Sequence, residues 1–291
     1  MSVNDQRVAV VTGASSGIGK ETAKALAAQG WRVIAQGRNA QRSAAAEAEI
    51  RAASVIGEVS MIVADLSLMA DTARMADEIA GMIDRVDVLV NNAGSMAGEL
   101  VLTSEGFDAN FAGNHLGPFL LTHRLLPLLR NAVKNAPAGS VRIINTSSDA
   151  SEMIPGIDLD DMQKLDDWTA GGAYCGSKLA NVLFAKALAE RLADDGIVAH
   201  SVHPGTVDSN FFADVSPETK AYTDTLDKMS EADGAETLIW LATAEEPGRT
   251  SGGYWYQCAP RKPNPLIDDA DYIARFMVAS EREVAKSGIT V

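Results

Sequence analysis

The 291-residue sequence predicts an α/β fold: one doubly wound, mostly parallel sheet of seven strands with helices on both faces. Three observations predict it. Short β-branched runs read as continuous apolar stretches rather than alternating ones, the pattern of strands buried on both faces. Longer alanine-rich stretches with helical periodicity separate them, which makes βαβ units and therefore parallel pairing. No repeat, low-complexity tract or linker interrupts the alternation, so a single domain is expected over 1–291.

In chain order, "RVAVVT" (7–12) opens the sheet and a helical pattern follows at 18–29. "WRVIAQ" (31–36), a helix at 40–53, "VSMIVA" (59–64) and a helix at 71–84 extend it to one side. "VDVLVN" (86–91), a long helical pattern at 105–131, "VRIINT" (141–146) and a helix at 174–194 continue it. "IVAHSV" (197–202), a helix at 231–243 and "GGYWYQ" (252–257) complete seven strands. Three irregular segments, 95–104, 149–173 and 203–230, all follow strands. Loops beyond the carboxyl ends of strands form the ligand crevice of such a sheet, so a substrate is expected there.

Composition narrows the function. A formal charge of −14 argues against a surface that tracks nucleic-acid phosphates. Cys175 and Cys258 show no paired spacing and fit a reducing cytoplasm, each as a small buried hydrophobe. "MSVNDQRVAVVTG" lacks a basic start followed by an apolar run, so no signal peptide is expected. No run of 18 uncharged apolar residues occurs, so no membrane span is expected either. His115, His123, His200 and His203 form no ligand spacing, and no metal is expected.

The first strand leads into "TGASSGIGKETAKAL" (12–26). Gly13, Gly17 and Gly19 let backbone approach a pyrophosphate, and a helix beginning near Ile18 offers free N–H groups and a positive dipole end. The pattern reads as a dinucleotide phosphate turn, with a plain tight βα turn as the other reading. The second strand ends "AQGRN". An NAD-selecting fold commonly carries an acid there; Gly37 followed by Arg38 suits a 2′-phosphate instead. Alone, Arg38 reads equally well as a solvated surface arginine.

"GGAYCGSKLANVLFAKALAERL" (171–192) sets Tyr174 and Lys178 four residues apart, on one helix face. Free tyrosine titrates near 10, too high for proton exchange at neutral pH. A neighbouring ammonium favours the phenolate, and lowering the pKa to neutrality takes about 4 kcal/mol. Tyr-x-x-x-Lys also recurs by chance as a surface pair. Two features add weight. Ser147 and Ser148 follow strand 141–146 directly, at the sheet's carboxyl edge. Pro118 lies inside the 105–131 helical pattern and has no N–H, which frees the carbonyl of Asn114 to hold a water. A kink in a packed helix is the plainer reading of that proline.

Together "TGASSGIG" (12–19), "DL" (65–66), "NNAG" (91–94), Asn114, "NTSS" (145–148), "YCGSK" (174–178) and "HPGTV" (203–207) resemble the short-chain dehydrogenases/reductases, in that family's order, from about residue 7 to 257. "NHLGPFLLT", "YCGSKLANVLF", "VHPGTVDSN" and "GGYWYQC" resemble its retinol-dehydrogenase-like branch, as does the 26-residue gap from Ser148 to Tyr174. The resemblance implies Tyr174 as general acid/base and Lys178 as the group lowering its pKa and binding the nicotinamide ribose. It implies Ser148 on the substrate oxygen and Asn114 holding a relay water. Gly13, Ser15, Ser16, Gly17, Ile18 and Gly19 would line the pyrophosphate. Asp65 and Leu66 would flank adenine, with Asn91 and Gly94 beneath the adenosine. Pro204, Gly205 and Val207 would frame the carboxamide, and Ser209 stands where the family often has threonine. Ser16 replaces the basic residue frequent inside the glycine turn, so selection of NADP(H) rests on Arg38, with NAD(H) remaining possible.

The implied activity is interconversion of an alcohol and its carbonyl on a small, apolar, ring-containing substrate. Met153, Ile154, Pro155, Ile157, Leu159, Met162 and Trp168 in one loop, and Phe211, Phe212 and Tyr222 in another, motivate that choice. The same residues could simply pack their loops down. The apolar remainder "LANVLFAKALAERL" would pack on the sheet and, by the resemblance, meet a second copy with the 110–130 helix, giving a homodimer or homotetramer. The competing readings are a non-catalytic dinucleotide-binding sensor and a family isomerase or dehydratase.

Overall fold

A computed structural model describes residues 6–55, 58–209, 211 and 215–291, with Glu218 and Tyr222 described by backbone alone. Strands β1 (Val8–Val11), β2 (Arg32–Gly37), β3 (Val59–Val63), β4 (Val88–Asn91), β5 (Arg142–Thr146), β6 (Val198–Val202), β7 (Tyr254–Tyr256) and β8 (Ala259–Pro260) form one sheet in the order 3-2-1-4-5-6-7-8. All pairs are parallel except β7 with β8. The chain runs outward from β1 to β3, then crosses back to β4. That reversal opens a crevice beyond the carboxyl ends of β1 and β4.

The strands read as unbroken apolar runs because both faces are covered. In β1, Val8 and Val10 enter one core, which α3 (Met69–Met82), α5 (Gly117–Val133), α6 (Ala170–Arg191) and α9 (Ala270–Ala285) complete. Ala9 and Val11 enter the other, shared with α1 (Gly17–Ala28), α2 (Ala40–Ala53) and α8 (Glu231–Thr243). Alternation of side chains across a strand sends neighbours to opposite layers. Both layers are apolar, so no polar alternation survives in the sequence.

Three departures from the expected elements have physical reasons. The sheet has eight strands rather than seven: β8 is two residues long and pairs with β7 through a turn at Gln257 and Cys258, both at positive φ (49° and 58°). Two-residue hairpin turns favour Asn-Gly or Asp-Gly, so "QC" carries no turn signal. The 105–131 pattern is not one helix. Asp108 caps a short α4 (Ala109–Phe111) by accepting from the N–H groups of Asn110 and Phe111, a π turn (Ala112–Leu116) follows, and α5 begins afterwards. Pro118 therefore stands in the first turn of α5, where its missing N–H is tolerated, rather than inside a continuous helix.

The third departure is α9, outside the expected elements like the short α7 (Pro217–Thr223). Phe276 of α9 meets His115 of the π turn, within a cluster that includes Phe119 of α5 and Phe184 of α6. α9 thus packs against α6 and the π turn. Among the described residues no helix is long and apolar enough to cross a membrane.

Candidate active site

Steric constraint builds the turn after β1. Gly13 and Gly17 lie at positive φ (+66° and +62°), which side chains on L-residues rarely permit. Gly19 is needed for a different reason: a Cβ there would run into Asn92 Nδ2 and stand 2.5 Å from the carbonyl oxygen of Gly13. Asn92 itself is fixed by donating its side-chain N–H to the Thr12 carbonyl (3.0 Å) and its backbone N–H to Thr12 Oγ1 (2.9 Å). The N–H of Gly13 is already committed to Gln36 Oε1 (2.9 Å), and that of Ala14 to the Gln36 carbonyl. Gly13 therefore shapes the turn instead of donating to a ligand. Gly17, Ile18 and Gly19 occupy the first turn of α1, where N–H groups lack an intrahelical acceptor. Ser16 caps the helix with backbone only and leaves those donors uncovered. A concave, glycine-walled donor set at a helix N-terminus fits a pyrophosphate.

Around this turn the predicted residues divide. Gly37 ends β2 with no space for a side chain: a Cβ would lie 2.6 Å from Ser15 Cβ and run into Ser43 Oγ. Arg38, the next residue, is exposed. Asp65 turns its carboxylate to the N–H (3.0 Å) and Oγ (2.7 Å) of Ser67, so it fixes the loop after β3. Two assignments need correction. The side chain of Leu66 is buried in the core, with its carbonyl against Gly117, and Asn91 is turned inward, donating to Thr122 Oγ1 (2.8 Å) and Asn145 Oδ1 (2.9 Å). Neither side chain reaches the crevice; only their backbone can.

Gly94 joins the two halves of the site. A Cβ on it would sit 3.2 Å from both Asn114 Oδ1 and Lys178 Nζ. Asn114, on the π turn, donates to the Ser95 carbonyl (2.9 Å) and Ser177 Oγ (3.1 Å), and accepts from the N–H of Ser95 (2.8 Å). Its side chain is thereby locked. Its carbonyl has no i+4 helical donor, because Pro118 brings no N–H. Lys178 is buried at 2% exposure, donates to the Thr146 carbonyl (3.4 Å), and lies 5.6 Å from the centre of the Tyr174 ring. Burial pushes its ammonium down to about 8.

The expected electrostatics are corrected here. Tyr174 is pushed above its ordinary value by burial, opposed by a hydrogen bond with Ser148. Lys178 sits over the ring rather than at the hydroxyl, so its charge does not offset the burial. The two serines also separate. Ser147 Oγ donates to the Lys178 carbonyl (2.7 Å) and is buried, whereas Ser148 is half-buried, donates to Asp149 Oδ1 (2.9 Å) and adjoins Tyr174.

Residues 203–209 fold back over the glycine turn. Gly205 lies at φ +90°, where a Cβ would collide with Met229. Val207 bridges to Met229 in parallel fashion and packs on Gly234, whose missing Cβ would fall 2.5 Å from Val207 Cγ2 and 2.9 Å from Ile18 Cγ2. Pro204 is half-buried beside Gly205. Ser209 lies 4.0 Å from a Cβ placed on Gly17. Phe211 faces Tyr174, ring centres 5.6 Å apart. Phe212 and the side chain of Tyr222 fall outside the described residues. In the 149–169 insertion, Ile157, Leu159 and Met162 are buried in the core and serve packing, while Met153 is 76% exposed. Thr12, Gln36, Asn92, Ser95 and Ser177 were missed as residues that shape the site. Thr12, Asn92 and Ser177 stand inside the quoted motifs; Gln36 carries no signal.

The model of the family described as short chain dehydrogenase matches residues 7–220. Retinol dehydrogenase 11 of Mus musculus is 36% identical over 261 residues, covering 87% of this chain and 78% of that protein. Retinol dehydrogenase 13 of Homo sapiens is 34% identical, covering 96% and 84%. Among solved structures, an uncharacterized protein from Mycobacterium paratuberculosis superposes with a TM-score of 0.71 at 30% identity, over 96% of this chain and 93% of that one. The Pseudomonas aeruginosa RhlG/NADP active-site complex gives 0.67 at 28%, over 85% and 93%. With a glycine turn, a Tyr–Lys helix and this breadth of similarity, the chain belongs to the short-chain dehydrogenase family of oxidoreductases.

Proposed function

We propose that this dehydrogenase prefers NADP(H) and interconverts an alcohol with its carbonyl on an apolar, ring-containing small molecule, with Tyr174 as general acid/base. The observation that carries the reading is the convergence of Tyr174, Ser148, Lys178 and Asn114 beside Gly94. The bound nicotinamide cofactor supplies hydride exchange at the substrate carbon. Tyr174, kept neutral by burial, gives its hydroxyl proton to a carbonyl oxygen during reduction and takes it back during oxidation. Ser148 donates to the same oxygen once it releases Asp149. Lys178, still mostly protonated at neutral pH, and a water on the Asn114 carbonyl return a proton to Tyr174 from the interior side.

Preference for NADP(H) is supported by the Gly37–Arg38 pair: a carboxylate at position 37 has no space, and the next residue is an exposed guanidinium. The NADP complex among the similar structures is in keeping with it. Relatives named retinol dehydrogenases support an apolar, ring-containing substrate. We place the protein in the cytoplasm, acting on a small molecule. A homodimer or homotetramer is part of the same reading. The test is a panel of retinoid, steroid and aromatic carbonyls, followed at the reduced-nicotinamide absorbance band with NADPH and NADH. Oxidation of NADPH above the Tyr174→Phe background is expected. Tight cofactor binding with no turnover of any carbonyl would replace this reading with the sensor.

A further inference from the structure

The segment 149–169 has little regular structure, yet it is held in place by residues more than 100 positions later. Asn264 Nδ2 donates to the carbonyls of Ser151 (3.2 Å) and Ile154 (2.8 Å). The hydroxyl of Tyr272, in the first turn of α9, accepts from the N–H of Ile157 (2.8 Å) and donates to its carbonyl (2.7 Å). One side chain thus satisfies both backbone polar groups of a buried residue in a segment that has no ladder of its own.

Further along the same helix, Ser280 Oγ bonds His115 Nε2 at 2.9 Å. His115 and Ser280 are both wholly buried, and His115 directly follows Asn114 in the π turn. α9 therefore grips two parts of the site, from positions eight residues apart in its own sequence. The segment that borders the substrate side hangs from its first turn. The turn that carries Asn114 hangs from its middle.

We propose that α9 is a positioning element with two separable tasks: Tyr272 sets the substrate-side segment, and the Ser280–His115 pair sets the Asn114 turn. Tyr272, Ser280 and His115 touch no reacting atom; each acts through the backbone it holds. The kinetic consequences rest on the function proposed above, whereas the local opening of each segment does not. Loosening 149–163 weakens substrate binding, while loosening the Asn114 turn slows the proton return and leaves binding intact.

The test compares Tyr272→Phe and Ser280→Ala in the full chain by hydrogen exchange, by NADPH affinity and by steady-state kinetics with the best carbonyl. Tyr272→Phe should speed exchange in 150–163 but not in 109–117, and raise KM about tenfold with kcat nearly unchanged. Ser280→Ala should do the reverse: faster exchange in 109–117, and kcat about tenfold lower at an unchanged KM. NADPH affinity should hold in both. If the two variants loosen the same segments, loosen the whole chain, or loosen neither, the proposal is overturned. If the parent turns over no carbonyl, the functional reading fails, and the exchange pattern alone still decides this one.

Discussion

The glycine turn at 12–19 and the substrate-side insertion at 149–169 both lie beyond the carboxyl ends of strands, and they are held in opposite ways. The turn is shaped by what its residues lack. Two positive φ angles and one excluded Cβ fix its path, and its partners are Gln36 on β2 and Asn92 just past the end of β4. The insertion is shaped by what distant residues supply, chiefly Asn264 and Tyr272. A site held by local sterics tolerates no change in its own residues. One held from afar tolerates change locally and fails when the distant support is lost.

Tyr174 stands between the two regions, and its replacement tests whether they divide the work. Tyr174→Phe should lower kcat by at least about 100-fold, the scale of losing a general acid. NADPH affinity, owned by the turn, should stay within about twofold of the parent. Equilibrium titration beside single-turnover kinetics separates the two. An affinity loss as large as the rate loss would mean that the phenol belongs to the cofactor half and that the division fails.

The second test sets one glycine against another. In Gly19→Ala the new methyl meets Asn92 and the carbonyl of Gly13, neither of which can retreat without opening the turn. About 1–3 kcal/mol of stability should go, with a matching loss of NADPH affinity. Gly171, where the insertion passes into α6, borders open space: no atom lies within 4 Å of the place a Cβ would take. Gly171→Ala should be neutral or raise stability by up to about 1 kcal/mol. Chemical denaturation of both variants checks the pair; equal effects would erase the contrast.

The same contrast explains what was legible in the sequence. All seven expected strands form within one or two residues of their expected ends, because two-sided burial writes itself as a continuous apolar run. The glycine positions, Tyr174 and Lys178 were legible because backbone freedom and helical spacing are local properties. Where side chains point was not. Nothing local says that Asn91 turns toward Thr122 and Asn145, that the Gly13 N–H is taken by Gln36, or that Ser147 serves α6 and leaves the edge to Ser148. The π turn was hidden because Pro118 in a first helical turn and Pro118 in a kinked helix read alike. α9 did carry a signal, since Ile273, Phe276, Met277, Ser280 and Val284 recur at helical spacing behind Asp269 as cap. Its role, however, exists only through contacts with the 115 and 157 regions.

Arg38 tests whether selectivity belongs to the turn region. Replacing Gly37 as well would confound the result, because any side chain there presses on Ser15 inside the phosphate turn. Arg38→Leu alone should lower the ratio of kcat/KM for NADPH over NADH about tenfold at low ionic strength. Since the guanidinium is exposed, added salt should shrink the parent's preference toward the variant's. A parent that uses both cofactors equally at low salt would remove Arg38 from the selection altogether.

The smallest effect concerns Lys178, which is enclosed between the two regions by Gly94, Thr146 and the Tyr174 ring. Its folded value of about 8 lies below the 10.5 of an unhindered lysine because burial disfavours the charge. Between those values the unfolded chain binds more protons than the folded one, so stability rises with pH. The penalty of holding a buried ammonium is thus fully present below about pH 8 and fades above it. The usable window is narrow. Burial raises Cys175 and Cys258 from 9.0, and Tyr174 and Tyr254 from 10.0, and each of these withdraws stability once its unfolded form ionises. From pH 8 to 9 the parent should therefore gain about 1 kcal/mol relative to Lys178→Met, in which the cysteine contribution is the same, as read from denaturant midpoints at fixed salt. Lys178→Met, of similar volume and uncharged, should match or exceed the parent's stability at pH 8. A parent whose midpoint follows that of Lys178→Met over the interval would mean that water reaches the ammonium, and that the enclosure formed by Gly94, Thr146 and the Tyr174 ring opens in solution.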